Sequence, residues 1–447
     1  MNFISASILI FLIAVVLFAS RRGALLAMAA GVLCLTQYSS IDLAGFHMYA
    51  IRFLEMAGLI RVIARREFSL SRLNQLDRMF LFFYSYLTVI SLLRSNQFLA
   101  FQVGIFTDAV LCYFTFRGLI TEFDDLRWFL RAFVIVLIPY VALLCVEAWT
   151  AHNLLYFIAG RTNAYVFFRK GRVRCVGSFR EYSILGSMGA SFFPLYIGLS
   201  FSKANRSYAI AGIILSSAIV VLSNSGGPAC FAIIGVLGWA LWPFRYRMRL
   251  IRRATVAMVI ALALVMKAPI WYLPTHLKFI TSGDAWHRSY LIETAIRHLD
   301  KWWLWGMPTA RTLHWFTYVN VASDAADITN QYISFGLAAG LPAIALFVWL
   351  LIRAVKVLGR KLTEVRLTSV ETSEAESLLW GLGVMLAGHI ANFTAITYFD
   401  QFYVIWFMQL AFISILGDGW GQAYVASVST RSQPMSFGSE PAAYSKS

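Results

Sequence analysis

RTNAYVFFRKGRVRCVGSFRE, Arg161 to Glu181, lies between two long apolar segments, 128–148 and 182–202. Six of its residues are basic (Arg161, Arg169, Lys170, Arg172, Arg174 and Arg180), and Glu181 is its single acid. An apolar run of about 20 residues is what a helix needs to cross a bilayer. A polar stretch between two such runs therefore reads as a loop at a membrane surface, and the chain reads as polytopic. Which surface follows from the distribution of Lys and Arg elsewhere, because basic residues in short loops stay on the cytoplasmic side.

The composition agrees. Of 447 residues, 59% are hydrophobic and only 13% charged, against about 25% charged in an ordinary soluble domain. The net charge of +16 would point to nucleic acid in a soluble protein. Here much of it falls in short loops, where it sets orientation, so no nucleic-acid partner is expected. Cys34, Cys112, Cys145, Cys175 and Cys230 show no metal-binding spacing, and neither a metal nor a cofactor is expected. Cys175 reads as a lone loop thiol.

The first apolar segment, 3–20, is followed by Arg21 and Arg22 and preceded by no Lys or Arg. That orientation puts the N-terminus outside and the first loop inside. The basic runs Arg61, Arg65, Arg66, Arg72, Arg78 and FRYRMRLIRR (244–253) mark further cytoplasmic loops. The division expected is six spans in 1–148, a basic outer loop 149–181, spans seven to ten in 182–272, a large outer loop 273–328, spans eleven to thirteen in 329–417, and a disordered cytoplasmic tail 418–447. The fold class is all-α, a helical bundle of about 13 (12–14) transmembrane helices, since backbone polar groups in lipid must be satisfied within each segment. The two large loops then share the outer side, where a basic cluster runs against the usual charge bias. Arginine is the planar, permanently charged donor suited to phosphate oxygens.

The second loop carries a helical pattern over DAWHRSYLIETAIRHLD, 284–300. Arg288 shares a face with Leu291, Ile292, Ala295 and Leu299, while Tyr290, Glu293, Arg297 and Lys301 fall opposite. Glu293 and Arg297 have the favourable i,i+4 spacing. An inward arginine needs a partner or an anion. Trp302, Trp303 and Trp305 suit a membrane–water interface. His276, His287, His298 and His314, with Asp284, Asp324 and Asp327, offer a choice of general base. Arg52 and Glu55 are spaced for an intramembrane ion pair, with Asp108 as the other partner open to Arg52.

Arg174, Gly177 and Phe179, in RCVGSF, resemble the RxxGxF signature of the O-antigen ligase and O-antigen polymerase superfamily. Arg288 and then Gly306 resemble its second arginine and following glycine turn. TNQYISFGLAAGLPAIALFVWLL, from Thr329, resembles the family segment that enters the next span. The resemblance covers roughly 160–355. It implies a metal-independent, inverting glycosyltransferase of the bacterial inner membrane whose active site faces the periplasm. It implies a partner too: a glycan carried on undecaprenyl diphosphate, in a setting of membrane lipid and other polysaccharide-assembly proteins. Arg174 and Arg288 then serve the departing diphosphate, with Arg161, Arg169, Arg172, Arg180, Arg311 and Asn330 as further contacts to diphosphate or glycan. Where the ligases place a His before Asn, this chain has Thr329 before Asn330. That favours polymerisation of an exopolysaccharide or O-antigen over ligation to lipid A core. The base is then Asp327, Asp324, Glu181 or a loop His, with Asp327 put first. The competing class is a flippase of the same lipid-linked glycan, which would favour internal repeats and charge at the bilayer midplane.

Overall fold

A computed structural model gives the fold; it describes residues 1–43, 46–69, 71, 73–94, 99–161, 166–276, 284–315, 327–368 and 374–418. The architecture is all-α. Among the described residues, five helices are long and apolar enough to cross a membrane: Gln75–Arg94, Phe123–Thr150, Tyr182–Leu199, Lys203–Ser223 and Gln331–Leu367. Phe3–Phe18, Gly226–Ala240 and Phe402–Gly417 are shorter apolar helices. Met248–Val265, within the stretch read as the tenth span, is helical and has no buried residue. The 38-residue helix Gln331–Thr368 is broken at Ala339–Gly340, where Gly340 has φ +81°. The expected tail lies outside the described residues from position 419 onward.

The helices that surround the two loops are, in chain order, α1 (Phe123–Thr150), α2 (Tyr182–Leu199), α3 (Arg206–Ser223), α4 (Gly226–Ala240), α5 (Asp284–Arg297), α6 (Gln331–Thr368), α7 (Glu374–Asn392) and α8 (Phe402–Ser414). Helix α2 is central: Leu185, Met188, Phe192, Leu195 and Tyr196 are all buried, packed among α1, α3, α4 and α7. Between apolar helices in lipid, close fit and interhelical hydrogen bonds supply the association that water exclusion supplies elsewhere. Ser377 Oγ donates to Gly198 O at 2.9 Å, and Trp239 Nε1 donates to Pro194 O at 3.0 Å. His389, wholly buried, joins Tyr398 and Gln409 at 2.6 Å each.

Several charges among the described helices are partnered. Arg52 makes a two-pronged bond to Asp108, 2.8 Å at each contact, while Glu55 accepts from Tyr403 Oη at 2.7 Å. Of the two partners open to Arg52 in the sequence, Asp108 takes the bidentate role because the guanidinium fork matches a carboxylate presented from a neighbouring helix. At the end where α1 begins, Asp125 receives Arg22 at 2.8 Å, and Arg117 joins Asp77 at 2.9 Å and Asp418 at 2.7 Å. Asp418, assigned to the tail on sequence, thus belongs to the folded bundle. The other end of α1 carries the loops.

Candidate functional site

The basic loop contains a short helix, Leu154–Ile158, and a β-hairpin. Phe167–Arg169 (β1) pairs antiparallel with Arg172–Arg174 (β2), Phe167 opposite Arg174 and Arg169 opposite Arg172. Lys170 and Gly171 form the turn with φ of +50° and +73°. Two left-handed central residues are the turn whose twist matches a two-residue hairpin, and Gly supplies one at no steric cost. The sequence reading treats this stretch as plain loop.

The segment after the hairpin is locked into the bundle. Glu147, near the end of α1, accepts from Val176 N at 2.9 Å and Gly177 N at 3.1 Å. Asn153 donates to Gly177 O at 2.8 Å. Tyr156 Oη donates to Phe179 O, and Ser178 Oγ donates to Val32 O at 2.9 Å. Gln401 Nε2 reaches Ser178 O and Leu35 O, both at 2.9 Å. Gly177 has φ +57°, and a Cβ there would sit 2.4 Å from Tyr140 Oη. Gly177 and the wholly buried Phe179 are therefore scaffold: they hold the arginines on either side. Cys175 is buried too, and burial pushes its thiol up to about 12. The reading of Cys175 as a loop thiol is corrected on that point, because the residues after the hairpin turn inward.

Three arginines leave this scaffold in different directions. The Arg174 guanidinium carbon sits 3.2 Å from the centroid of the Tyr182 ring. Arg180 is held by Asp400, whose Oδ2 accepts from Arg180 N at 2.9 Å and whose Oδ1 accepts from Arg180 Nε at 2.5 Å. Arg169 Nη1 donates to Asn224 O, and Asn224 Nδ2 donates back to Arg169 O, each at 3.2 Å. Arg161 lies over the Tyr38 ring at 4.2 Å, and Arg172 is exposed.

The second loop meets the first at two places. One is the turn between α3 and α4. Arg288 Nη2 lies 3.7 Å from where a Gly227 Cβ would be, three residues beyond the Asn224 that Arg169 holds. The same turn presses on α2, since a Cβ on Gly186 would meet Ser223 Oγ at 2.4 Å. The other place is Glu181, at the N-cap of α2. Burial first, and then the Asp327 carboxylate, push its carboxyl up to about 7; Asp400 adds to this, and Arg174 and Arg180 oppose it. Asp327 is carried there by the start of α6. Thr397 Oγ1 donates to Ile328 O at 2.5 Å, Asn330 Nδ2 to Thr394 O at 3.0 Å, and Tyr398 N to Gln331 Oε1 at 2.7 Å. So 327–331 docks on 394–398, two residues short of the Asp400 that grips Arg180.

Arg174, Arg180, Glu181, Asp327 and Asp400 thus form one electrostatic cluster, with Arg288 on the adjoining turn. Asn330, expected on sequence as a substrate contact, caps α6 by accepting from Ile333 N at 3.1 Å and is buried. Arg311 is exposed and lies near Arg94. Helix α5 packs as its periodicity predicts: Leu291 and Ala295 are buried, Arg288 is half-buried, and Glu293 pairs with Arg297. Trp302 is buried beneath α5, donating to Ala295 O at 2.9 Å, and Trp303 and Trp305 are exposed. His298 is stacked on Trp315 and bonded to Thr294 O at 3.0 Å, a structural use. Asp324 and the side chains of His276 and Asp284 lie outside the described residues.

Two acids escape the sequence reading. Glu147 is the single acid between Asp125 and Glu181, and Asp400 the single acid between Glu376 and Asp418. Isolation of a carboxylate beside an apolar segment is the signal that would have found both. Among the described residues no group of His, Cys, Asp and Glu is arranged to hold a metal ion. No protein-family model matches the chain, and no curated protein matches it.

Proposed function

We propose that this protein is a multi-pass glycosyltransferase of the O-antigen polymerase and ligase type. In this reading about thirteen helices span the bacterial inner membrane, and the loop-bearing end faces the periplasm. Its donor is a glycan on undecaprenyl diphosphate, and its acceptor is a sugar hydroxyl on a second lipid-linked glycan. It works without metal or cofactor, alongside membrane lipid and other polysaccharide-assembly proteins, as the polymerase of an exopolysaccharide or O-antigen.

The observation that carries the reading is the meeting of the two loops. Arg169 and Arg288 converge on one turn, and the end of the second loop docks on 394–398, beside the Asp400 that grips Arg180. A departing diphosphate gains negative charge as the glycosidic bond breaks, and fixed cations stabilise charge where it develops. Arg174 and Arg288 fill that role, and Arg161, Arg169 and Arg172 add positive charge around it. Arg180, drawn to Asp400, positions the loop more than it meets the ligand. Two loops that close on one headgroup also supply orientation.

The test is replacement of the arginines in cells. Arg174→Ala and Arg288→Ala should accumulate the protein at normal level and make no polymer. Arg→Lys at either position should restore little, because an ammonium lacks the bidentate fork. Normal polymer from either Ala variant at native expression would overturn the diphosphate site.

A further inference from the structure

Glu181 differs from three other carboxylates at the loop end. Asp400 is bound to Arg180, Glu147 to two backbone amides, and Glu293 to Arg297 and Tyr272. Glu181 occupies the N-cap of α2, where a carboxylate ordinarily accepts from the first turn, yet it makes no cap bond. Its backbone carbonyl accepts from Ile184 N and Leu185 N, each at 3.2 Å, but among the described residues its side chain has no hydrogen bond and no ion pair, although the residue is half-buried. A half-buried carboxylate left unbonded by its own helix is open to a proton donor from outside. The charged groups facing it come from each element around it: Arg174 from β2, Arg180 next to it, Asp400 before α8, and Asp327 before α6.

We propose that Glu181 is the base that takes the acceptor hydroxyl's proton, and that Asp327, across the loop junction, sets how readily it does so. This rests on the glycosyl-transfer reading above. In the step, the acceptor oxygen forms a bond to the anomeric carbon. The bond from that carbon to the diphosphate oxygen breaks, and its electron pair leaves with polyprenyl diphosphate. The hydroxyl proton passes to a Glu181 carboxylate oxygen and is later released to water. Arg174 beside the base serves the leaving group, so proton acceptance and departure occur within one cluster. Burial raises the proton affinity of Glu181 most, and Asp327, which is exposed, adds to this through its charge: a second anion further disfavours ionisation and holds Glu181 near neutrality, where a base is most effective.

The experiment uses the full chain in vesicles with the lipid-linked glycan that accumulates in cells lacking it. Transfer rate is followed from pH 5 to 9 for wild type, Glu181→Gln, Glu181→Asp and Asp327→Asn, and binding of undecaprenyl diphosphate is measured in parallel. Wild-type kcat/KM should rise with pH through a midpoint near 7. Glu181→Gln should fall by about 10²-fold or more, the contribution of a general base, with diphosphate binding retained. Glu181→Asp should keep a pH-dependent rate. Asp327→Asn should move the midpoint to lower pH, a shift that a purely structural role would not give. A Glu181→Gln protein that keeps the wild-type rate and pH profile would overturn the base assignment and leave the transfer reading standing. No transfer by wild type at any pH would overturn that reading itself.

Discussion

Arg180 holds Asp400 twice, through its backbone N–H at 2.9 Å and through Nε at 2.5 Å. The carboxylate comes from the turn before α8, 220 residues away in sequence, and its side chain is fully buried while Arg180 is 45% exposed. This clasp fixes the residue next to Glu181. Removing one partner of a wholly buried pair costs about 3–5 kcal/mol, and exposure of the other partner reduces that. Asp400→Ala should therefore lower stability by about 1–3 kcal/mol and abolish transfer. Thermal unfolding in detergent checks it, and an unchanged midpoint would show that the clasp does not hold the loop.

Gly177 offers a purely structural prediction. Its φ of +57° and the 2.4 Å approach of Tyr140 Oη to a Cβ leave no room for a side chain. Gly177→Ala should destabilise the fold by about 1–3 kcal/mol, the combined range of overpacking and a left-handed non-glycine residue. In a Tyr140→Phe background the added loss should be smaller, because the closest atom is gone. A double-mutant cycle measures the coupling; strict additivity would mean the clash is not what constrains Gly177.

Glu181 also couples stability to pH. Its carboxyl holds a proton up to about 7 in the fold, against 4.5 for the free side chain. Between these values the folded chain binds one more proton than the unfolded chain, so stability falls as pH rises through this window. Glu181→Gln should be more stable than wild type at pH 8 and should differ least at pH 4. Equal stability at pH 8 would show that the carboxylate is not held at a cost.

Cys175 is buried, so a membrane-impermeant thiol reagent should leave it unlabelled from either side. Phe168, 61% exposed on the hairpin, is the better reporter. In the proposed orientation, Phe168→Cys should label in intact cells with a permeabilised outer envelope. Labelling confined to inverted vesicles would reverse the topology.

Much of the scaffold is legible in the sequence because it rests on long patterns. Apolar runs give the helices, and the period of 284–300 correctly turns Leu291 and Ala295 inward with Arg288 beside them. The Glu293–Arg297 pair follows from local spacing. What is not legible depends on distant or short-range geometry. The strands of the hairpin are three residues each, too short for alternation to declare them. Asp400 means nothing until α8 brings it to Arg180. That Asn330 caps α6 by accepting from Ile333 N is likewise not visible in the sequence. The cluster around Glu181 is assembled from three separate stretches of chain, and no local motif encodes that assembly.

The most direct measurement is reconstitution of the purified protein with lipid-linked repeat unit as the sole substrate. Wild type should give stepwise chain growth with release of undecaprenyl diphosphate, and Arg174→Ala and Arg288→Ala should give none. Transfer only when lipid A core or another acceptor is added, or movement of the intact lipid-linked unit across the bilayer without bond formation, would contradict the polymerase reading.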